Sequence, residues 1–207
     1  MGARVSQEVS LFVVVFVFVA IGALLAKIYI FDLWKPAFWN ALSQRTGLSY
    51  HPEWWLLNPH VDGVYRGYRT LIYNHRPYGK SPKIYARIVV ALHKPATVSL
   101  YIADTEIKAH GVWIPPVEFI TEDDAIDRKF VIDSKPSDFI LSILQAPNVR
   151  RHLLNTHLLQ VWTQGNELYI QQLGLDQDPE RFLAVLNLAV DMAVVVDNHG
   201  VTESTGL

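Results

Sequence analysis

The residue types that most often carry chemistry are present in this chain without the spacing that a metal or cofactor site requires. None of the eight histidines forms an i, i+4 helical pair with a nearby glutamate, and His152 and His157 are five residues apart, which places them on different faces of a helix. The sequence contains no cysteine, which excludes thiolate zinc sites, ordinary iron–sulfur ligation and C-x-x-C-H haem attachment. We therefore expect structural histidines, no metal site and no cofactor.

Local catalytic motifs are also missing from the sequence. The acidic run Glu122–Asp127 lacks the glycine and the distal glutamate of an EF-hand loop, which predicts a solvated turn. There is no G-x-G-x-x-G, no G-x-x-x-x-G-K-[ST] and no G-x-S-x-G sequence. No catalytic residue is predicted, and an enzyme is the less favoured class.

The most informative polar feature is a segregation of charge. No carboxylate lies between Asp62 and Asp104, whereas acidic residues are in excess from Asp104 to Asp138. If the basic residues converge, they would contact anionic headgroups, at about 1 kcal/mol per basic residue near the surface, or an acidic partner protein. The equally weighted alternative is that they alternate along strands and face water. The candidate contact residues are Arg66, Arg69, Arg76, Lys80, Lys83 and Arg87.

The first element that would position these residues is an apolar run near the N-terminus. Val9–Ala26 contains no charge, and a helix of this length covers roughly 27 Å, close to the roughly 30 Å of bilayer hydrocarbon. The run predicts a single transmembrane helix over residues 9–31, after a tail over residues 1–8. A cleaved signal peptide is the alternative, because small residues close the run. Lys and Arg after the run favour a cytoplasmic domain at the cell membrane.

Tryptophans are concentrated directly after this run. Indole rings favour the headgroup region because they combine an apolar body with one N–H donor, so residues 32–59 predict a juxtamembrane aromatic collar. Packing in the domain core is the alternative. The candidate interface anchors are Trp34, Trp39, Trp54 and Trp55.

The rest of the chain predicts one α+β domain over residues 60–199 and a tail over residues 200–207. β-Branched segments with strand-like alternation dominate residues 61–132, and a hairpin is expected across Gln164–Asn166. A helix from Asp178 to about Asn198 repeats apolar residues at helical spacing. Strands followed by helices favour a mainly antiparallel sheet packed by C-terminal helices.

Several longer segments resemble a known group of proteins. The segments FVIDSKPSDFILSILQAPNVRRHLL and VWTQGNELYIQQL and the helix ending AVDMAVVVD resemble a group of uncharacterised bacterial membrane-tethered proteins. RTGLSYHP and HVDGVYRGYR resemble the start of the same domain, so the resemblance covers most of residues 45–198. It implies a bacterial origin and a single folded unit. It supplies no activity and no site residue.

These observations together favour a noncatalytic, membrane-anchored interaction module. It would act as a scaffold or accessory subunit of a larger bacterial membrane complex, with energy-converting complexes as one class. The expected partners are the lipid bilayer and membrane proteins of that complex; a homo-oligomer stays open, and a pI near 6.4 argues against nucleic acid. The alternatives are a tethered enzyme or small-ligand binder with a site assembled only in three dimensions, and an anionic-lipid sensor.

Substitution of Asp191, on the apolar last helix, would distinguish two roles for this carboxylate. Loss of folding would favour a structural role, and loss of a ligand from an intact fold would favour a binding role.

Overall fold

The protein is described by a computed structural model that covers residues 15–25, 35–52, 59–75, 85–110, 119–157, 159–173 and 179–202. The chain divides into two compact units, Met1–Ala41 and Leu42–Leu207. In the first unit, helix α1 over residues 15–25 is exposed along its length. Helix α2, Lys35–Thr46, begins in the first unit and ends in the second.

The prediction of a transmembrane helix over residues 9–31 is wrong. Within the described ranges, no helix has both the length and the apolar character that crossing a membrane requires. Residues 9–14 and 26–31 lie outside the described residues. The predictions of a single-pass protein and of a location at the cell membrane depended on this span and are corrected with it.

The second unit is built on one antiparallel sheet of eight strands, in the order β1-β2-β3-β4-β8-β7-β5-β6. The predicted α+β class with an antiparallel sheet is confirmed. The sheet begins within the segment that the sequence predicts as an aromatic collar. The strands are Ser49–His51 (β1), His60–Tyr65 (β2), Tyr68–His75 (β3), Tyr85–Ala91 (β4), Ser99–Asp104 (β5), Phe130–Lys135 (β6), Leu159–Gln164 (β7) and Glu167–Leu173 (β8).

The helices of the second unit connect the later strands and follow the last one. A 3-10 helix, Thr105–His110, follows β5. The α-helices are Asp124–Lys129 (α3), Phe139–Gln145 (α4), Pro147–Asn155 (α5) and Pro179–Thr202 (α6). The last helix therefore continues four residues beyond its predicted end at Asn198.

The acidic run that predicts a solvated turn instead begins a helix. Asp123 is the N-cap of α3, and its Oδ1 accepts from the backbone nitrogens of Ala125 and Ile126 at 3.1 and 3.4 Å. Nε of Arg150 donates to Oδ2 of Asp123 at 2.6 Å. The Arg150 guanidinium, together with these backbone donors, holds the pKa of Asp123 below its ordinary value. Acidic residues stabilise the start of a helix because they accept hydrogen bonds from free N–H groups and interact favourably with the positive end of the helix dipole.

The main apolar core lies between the sheet and α6. Alternate strand residues face this helix, and they include Ile72, Ile88, Val161 and Ile170, each at most 1% exposed. The apolar repeat predicted for the last helix is buried: Phe182, Leu186, Ala189, Ala193 and Val196. Helices α4 and α5 pack on α6, so one helical layer covers this face of the sheet.

Candidate functional site

The other face of the sheet carries polar and aromatic side chains and is here called the open face. Side chains alternate between the two faces of a strand, so Arg87 on β4 lies opposite to its neighbours Ile88 and Ala86. Cross-strand pairing aligns two rows on this face. One row is Tyr73, Arg87, Gln171 and Gln160, and the adjacent row is Leu71, Val89, Tyr169 and Trp162.

Arg87 is the centre of this face and is held by neutral partners. Its Nε and Nη2 donate to Oε1 of Gln171 at 3.1 and 2.6 Å, and its Nη1 donates to the hydroxyl of Tyr73 at 3.4 Å. Its guanidinium carbon lies 5.9 Å from the ring centroid of Tyr73 and 5.2 Å from that of Trp162. In the described part of the chain, Arg87 is in no ion pair. Among the described residues, the face therefore holds a partly buried positive charge without a carboxylate partner.

The rings beside Arg87 are ordered by their own contacts. Trp162 and Tyr169 stack with centroids 5.0 Å apart and planes inclined by 4°. The Tyr169 hydroxyl donates to the carboxylate of Glu167. This hydrogen bond, followed by burial and the negative charge of Glu167, raises the pKa of Tyr169 to about 12. Tyr169 is consequently a neutral hydrogen-bonding group at physiological pH.

A chain of side-chain hydrogen bonds connects Arg87 to β5. Gln171, which is 5% exposed, donates through Nε2 to Oε1 of Gln160 at 3.5 Å. Nε2 of Gln160 then donates to the hydroxyl of Tyr101 at 2.9 Å. Burial raises the pKa of Tyr101, which keeps its hydroxyl neutral. These hydrogen bonds orient the side-chain amide of Gln171, and that amide in turn orients the guanidinium of Arg87.

One end of the open face is covered by the 3-10 helix. Ile107 of this helix packs in a buried cluster with Tyr85 and Ala103, against which Tyr101 and Leu173 are partly buried. Near this end, burial and the positive charge of Arg87 lower the pKa of His75. The part of the face that remains accessible therefore extends from Arg87 toward β2 and β3.

That accessible part contains a groove of about 380 Å³. Its floor includes Val89 and the apolar side chain of Leu71, which is 37% exposed. Its walls include charges of both signs, from Arg69, Asp62 and Glu167. The groove thus combines an apolar floor with a mixed polar wall next to the Arg87 centre.

The three predicted basic residues that lie within the described ranges do not share one surface. Arg69 and Arg87 lie on the open face. Arg66 lies in the turn between β2 and β3, and its Nη2 is 2.8 Å from Oδ1 of Asp191 on α6. Asp191 is therefore the partner of an ion pair between the turn and the last helix. Arg76, Lys80 and Lys83 lie outside the described residues.

The tryptophans predicted as interface anchors are placed differently from the expectation where the structure describes them. Trp39 is fully buried, and a buried indole cannot lie at a lipid headgroup. Trp34, Trp54 and Trp55 lie outside the described residues. The interpretation of Trp39 as core packing, which the sequence left open, fits its position.

Potential metal ligands also meet on the open face, where the sequence predicts none. Among the described residues, His51, His60 and Asp62 bring one ligand atom each within 4.8 Å of the others. Sequence reasoning missed this group because it did not predict the pairing of β1 with β2, which places His51 beside His60. It missed Tyr73, Trp162 and Gln171 because strand pairing brings together residues that are distant in sequence. The available signal was the alternation of polar residues within β2, β4 and β8.

Comparisons with known proteins give little further information. No protein-family model and no curated protein matches the chain. Among solved structures, the chain is similar to the crystal structure of the mycobacterial trehalose monomycolate transport factor A, TtfA, with a TM-score of 0.47 and 13% sequence identity. The match covers 75% of this chain and 90% of that chain. The resemblance to uncharacterised bacterial proteins stays a prediction.

Proposed function

We propose that this protein is a noncatalytic interaction module that binds an acidic residue of a partner protein on the open face of its sheet. The observation that carries the proposal is the guanidinium of Arg87, which lies between two aromatic rings and has no ion pair within the described residues. A carboxylate would complete this site with charge-assisted hydrogen bonds, which are about twice as strong as neutral ones.

The residue types around Arg87 support a protein partner. Arginine, tryptophan and tyrosine are the types that contribute most to protein interfaces. Here Tyr73 and Trp162 lie beside the guanidinium, Tyr169 stacks on Trp162, and all three are only partly exposed. Their stacking and hydrogen bonds order them before a partner arrives, which reduces the entropy that binding costs. A guanidinium has five N–H donors, and three contacts to Gln171 and Tyr73 leave donors for a ligand.

The groove beside Arg87 restricts the partner further. Leu71 and Val89 offer apolar contact, whereas Asp62 and Glu167 would repel a second carboxylate. A segment with one acidic residue flanked by apolar residues fits this pattern better than an acidic run does.

The alternative of an anionic-lipid sensor is less well supported by the positions of the basic residues. That function needs several of them on one exposed surface. Arg66 instead pairs with Asp191 at the helical layer, and Arg87 lies between aromatic rings. The described residues leave Arg69 as the exposed cation on the open face of β3.

Site-specific photocrosslinking in the source cells tests the proposal. A photoreactive amino acid is placed at Leu71, on the open face, or at Val194, on α6; both side chains are 37% exposed, so they form a matched pair. We expect a discrete protein adduct from Leu71 alone, and a crosslinked peptide that contains an aspartate or glutamate. Equal adducts from both positions, no adduct from Leu71, or a crosslinked peptide without an acidic residue would contradict the proposal.

A further inference from the structure

Three potential ligands project from the same face of the edge strand β1 and its neighbour β2. His51 and His60 are cross-strand partners, and Asp62 follows His60 by two residues, which returns it to the same face. Nε2 of His51 lies 2.7 Å from Oδ1 of Asp62. The imidazole rings of His51 and His60 stack with centroids 4.8 Å apart. The three side chains are therefore already gathered at one point.

We propose that His51, His60 and Asp62 bind a divalent transition-metal ion of the Zn²⁺ type. Two imidazole nitrogens and one carboxylate oxygen suit zinc and its neighbours in the first transition row. Calcium and magnesium prefer sites made of oxygen ligands. The donor set thus selects the class of ion, and the site does not depend on the protein-binding proposal.

Small movements would complete the coordination geometry. Ligand atoms about 2.0–2.2 Å from a tetrahedral zinc ion lie roughly 3.4 Å from one another. The His51 and Asp62 atoms, at 2.7 Å, would separate by about 0.7 Å. The widest spacing within the group is at most 4.8 Å and would close by about 1.4 Å. Rotations about the side-chain bonds of these exposed or partly exposed residues suffice for both changes.

The strands that carry the ligands are held in register by close packing. Gly63 on β2 has φ +147°, and a Cβ at this position would lie 3.1 Å from the side chain of Leu48. Leu48, which precedes β1, is buried. This close packing, together with the antiparallel pairing of β1 with β2, holds the strands that carry the ligands in register.

The proposed site is open to solvent. The side chains of His51 and Asp62 are 49% and 42% exposed. Three protein ligands leave at least one position of a tetrahedral ion for water or another ligand. The site therefore belongs with open metal centres, which exchange a ligand, and differs from closed structural sites with four protein ligands.

Calorimetric titration of the full chain with Zn²⁺ tests the proposal, using protein prepared without a histidine tag and treated with a chelator. We expect one equivalent of Zn²⁺ to bind, and His51→Ala, His60→Ala and Asp62→Asn each to weaken binding by at least about tenfold. The matched control is His157→Ala, which removes an exposed histidine outside the group and should leave the affinity unchanged.

A Co²⁺ absorption spectrum gives a second readout that a merely structural effect would not reproduce. The folded protein should show visible bands of a nitrogen- and oxygen-ligated ion, and Asp62→Asn, which preserves side-chain shape, should change them while circular dichroism stays the same. Absence of saturable Zn²⁺ binding by the unmodified chain would overturn the proposal. So would an equal loss of affinity in His157→Ala and in the three ligand variants.

Discussion

The two faces of the sheet are made by the same strands and differ in what their side chains do. On β8, Leu168 and Ile170 face α6 and are at most 1% exposed. Tyr169, between them, faces the other way, stacks on Trp162 and binds Glu167. The helix-covered face buries apolar area, which drives folding. On the open face, polar and aromatic groups are ordered around the guanidinium of Arg87. Because side chains alternate along each strand, one face of the sheet can stabilise the fold while the other is available for binding.

The largest expected effect is on the helix-covered face. Ile170→Ala should lower the free energy of unfolding by about 2–5 kcal/mol, because it removes a 1% exposed side chain and leaves a cavity. Chemical denaturation monitored by circular dichroism measures this change. A loss below 1 kcal/mol would mean that this face does not supply the core.

A smaller loss is expected on the open face of the neighbouring strand. Trp162→Ala should lower the free energy of unfolding by about 2 kcal/mol, since it removes the Tyr169 stack and the contact with Arg87. The same denaturation experiment checks it. A loss equal to or larger than that of Ile170→Ala would contradict the claim that the helix-covered face contributes more to stability than the open face.

Two tyrosines with the same pKa should respond differently to loss of a carboxylate. Burial, then Asp197, raises the pKa of Tyr68 on the helix-covered face to about 12, whereas the hydrogen bond to Glu167 is the leading cause for Tyr169. Glu167→Gln should lower the pKa of Tyr169 toward the ordinary value near 10 and leave Tyr68 unchanged. NMR titration of the tyrosine ring carbons measures both.

The same substitution predicts a change in stability at high pH. A tyrosine whose pKa is raised on folding contributes stability that is fully present below about pH 10 and is lost as the pH rises toward about 12. Glu167→Gln should therefore make the loss of stability across this interval shallower, as measured by denaturation at successive pH values. The control is NMR titration of Asp197→Asn, which should lower the pKa of Tyr68 and leave that of Tyr169 unchanged. An unchanged slope in Glu167→Gln would contradict the assigned cause.

Local pattern was sufficient to predict much of the helix-covered face. The apolar repeat from Phe182 to Val196 specifies a buried helix, and the turn at Gly165 specifies the hairpin of β7 and β8. The membrane span predicted over residues 9–31 rested on hydrophobicity alone, and no helix among the described residues has the length and apolar character for one. Asp123 had the residue type of an N-cap, but the acidic residues after it obscured that signal.

The open face was not predictable because its contacts depend on register between strands far apart in sequence. Arg87 meets Gln171 across 84 residues of chain. A shift of one residue in the pairing of β4 with β8 would move every partner to the opposite face. Of the three predicted basic residues within the described ranges, Arg69 and Arg87 lie on this face, and the sequence could not distinguish them from Arg66.

The smallest expected change in stability accompanies the most direct test of the proposed binding face. Arg87→Gln removes the charge and keeps a polar side chain, so we expect the free energy of unfolding to change by less than about 1 kcal/mol. The measurement is the yield of the Leu71 photoadduct in this variant, beside its unfolding curve. We predict that the adduct is lost while the protein remains folded. An undiminished adduct, or loss of the adduct only through unfolding, would contradict recognition by Arg87.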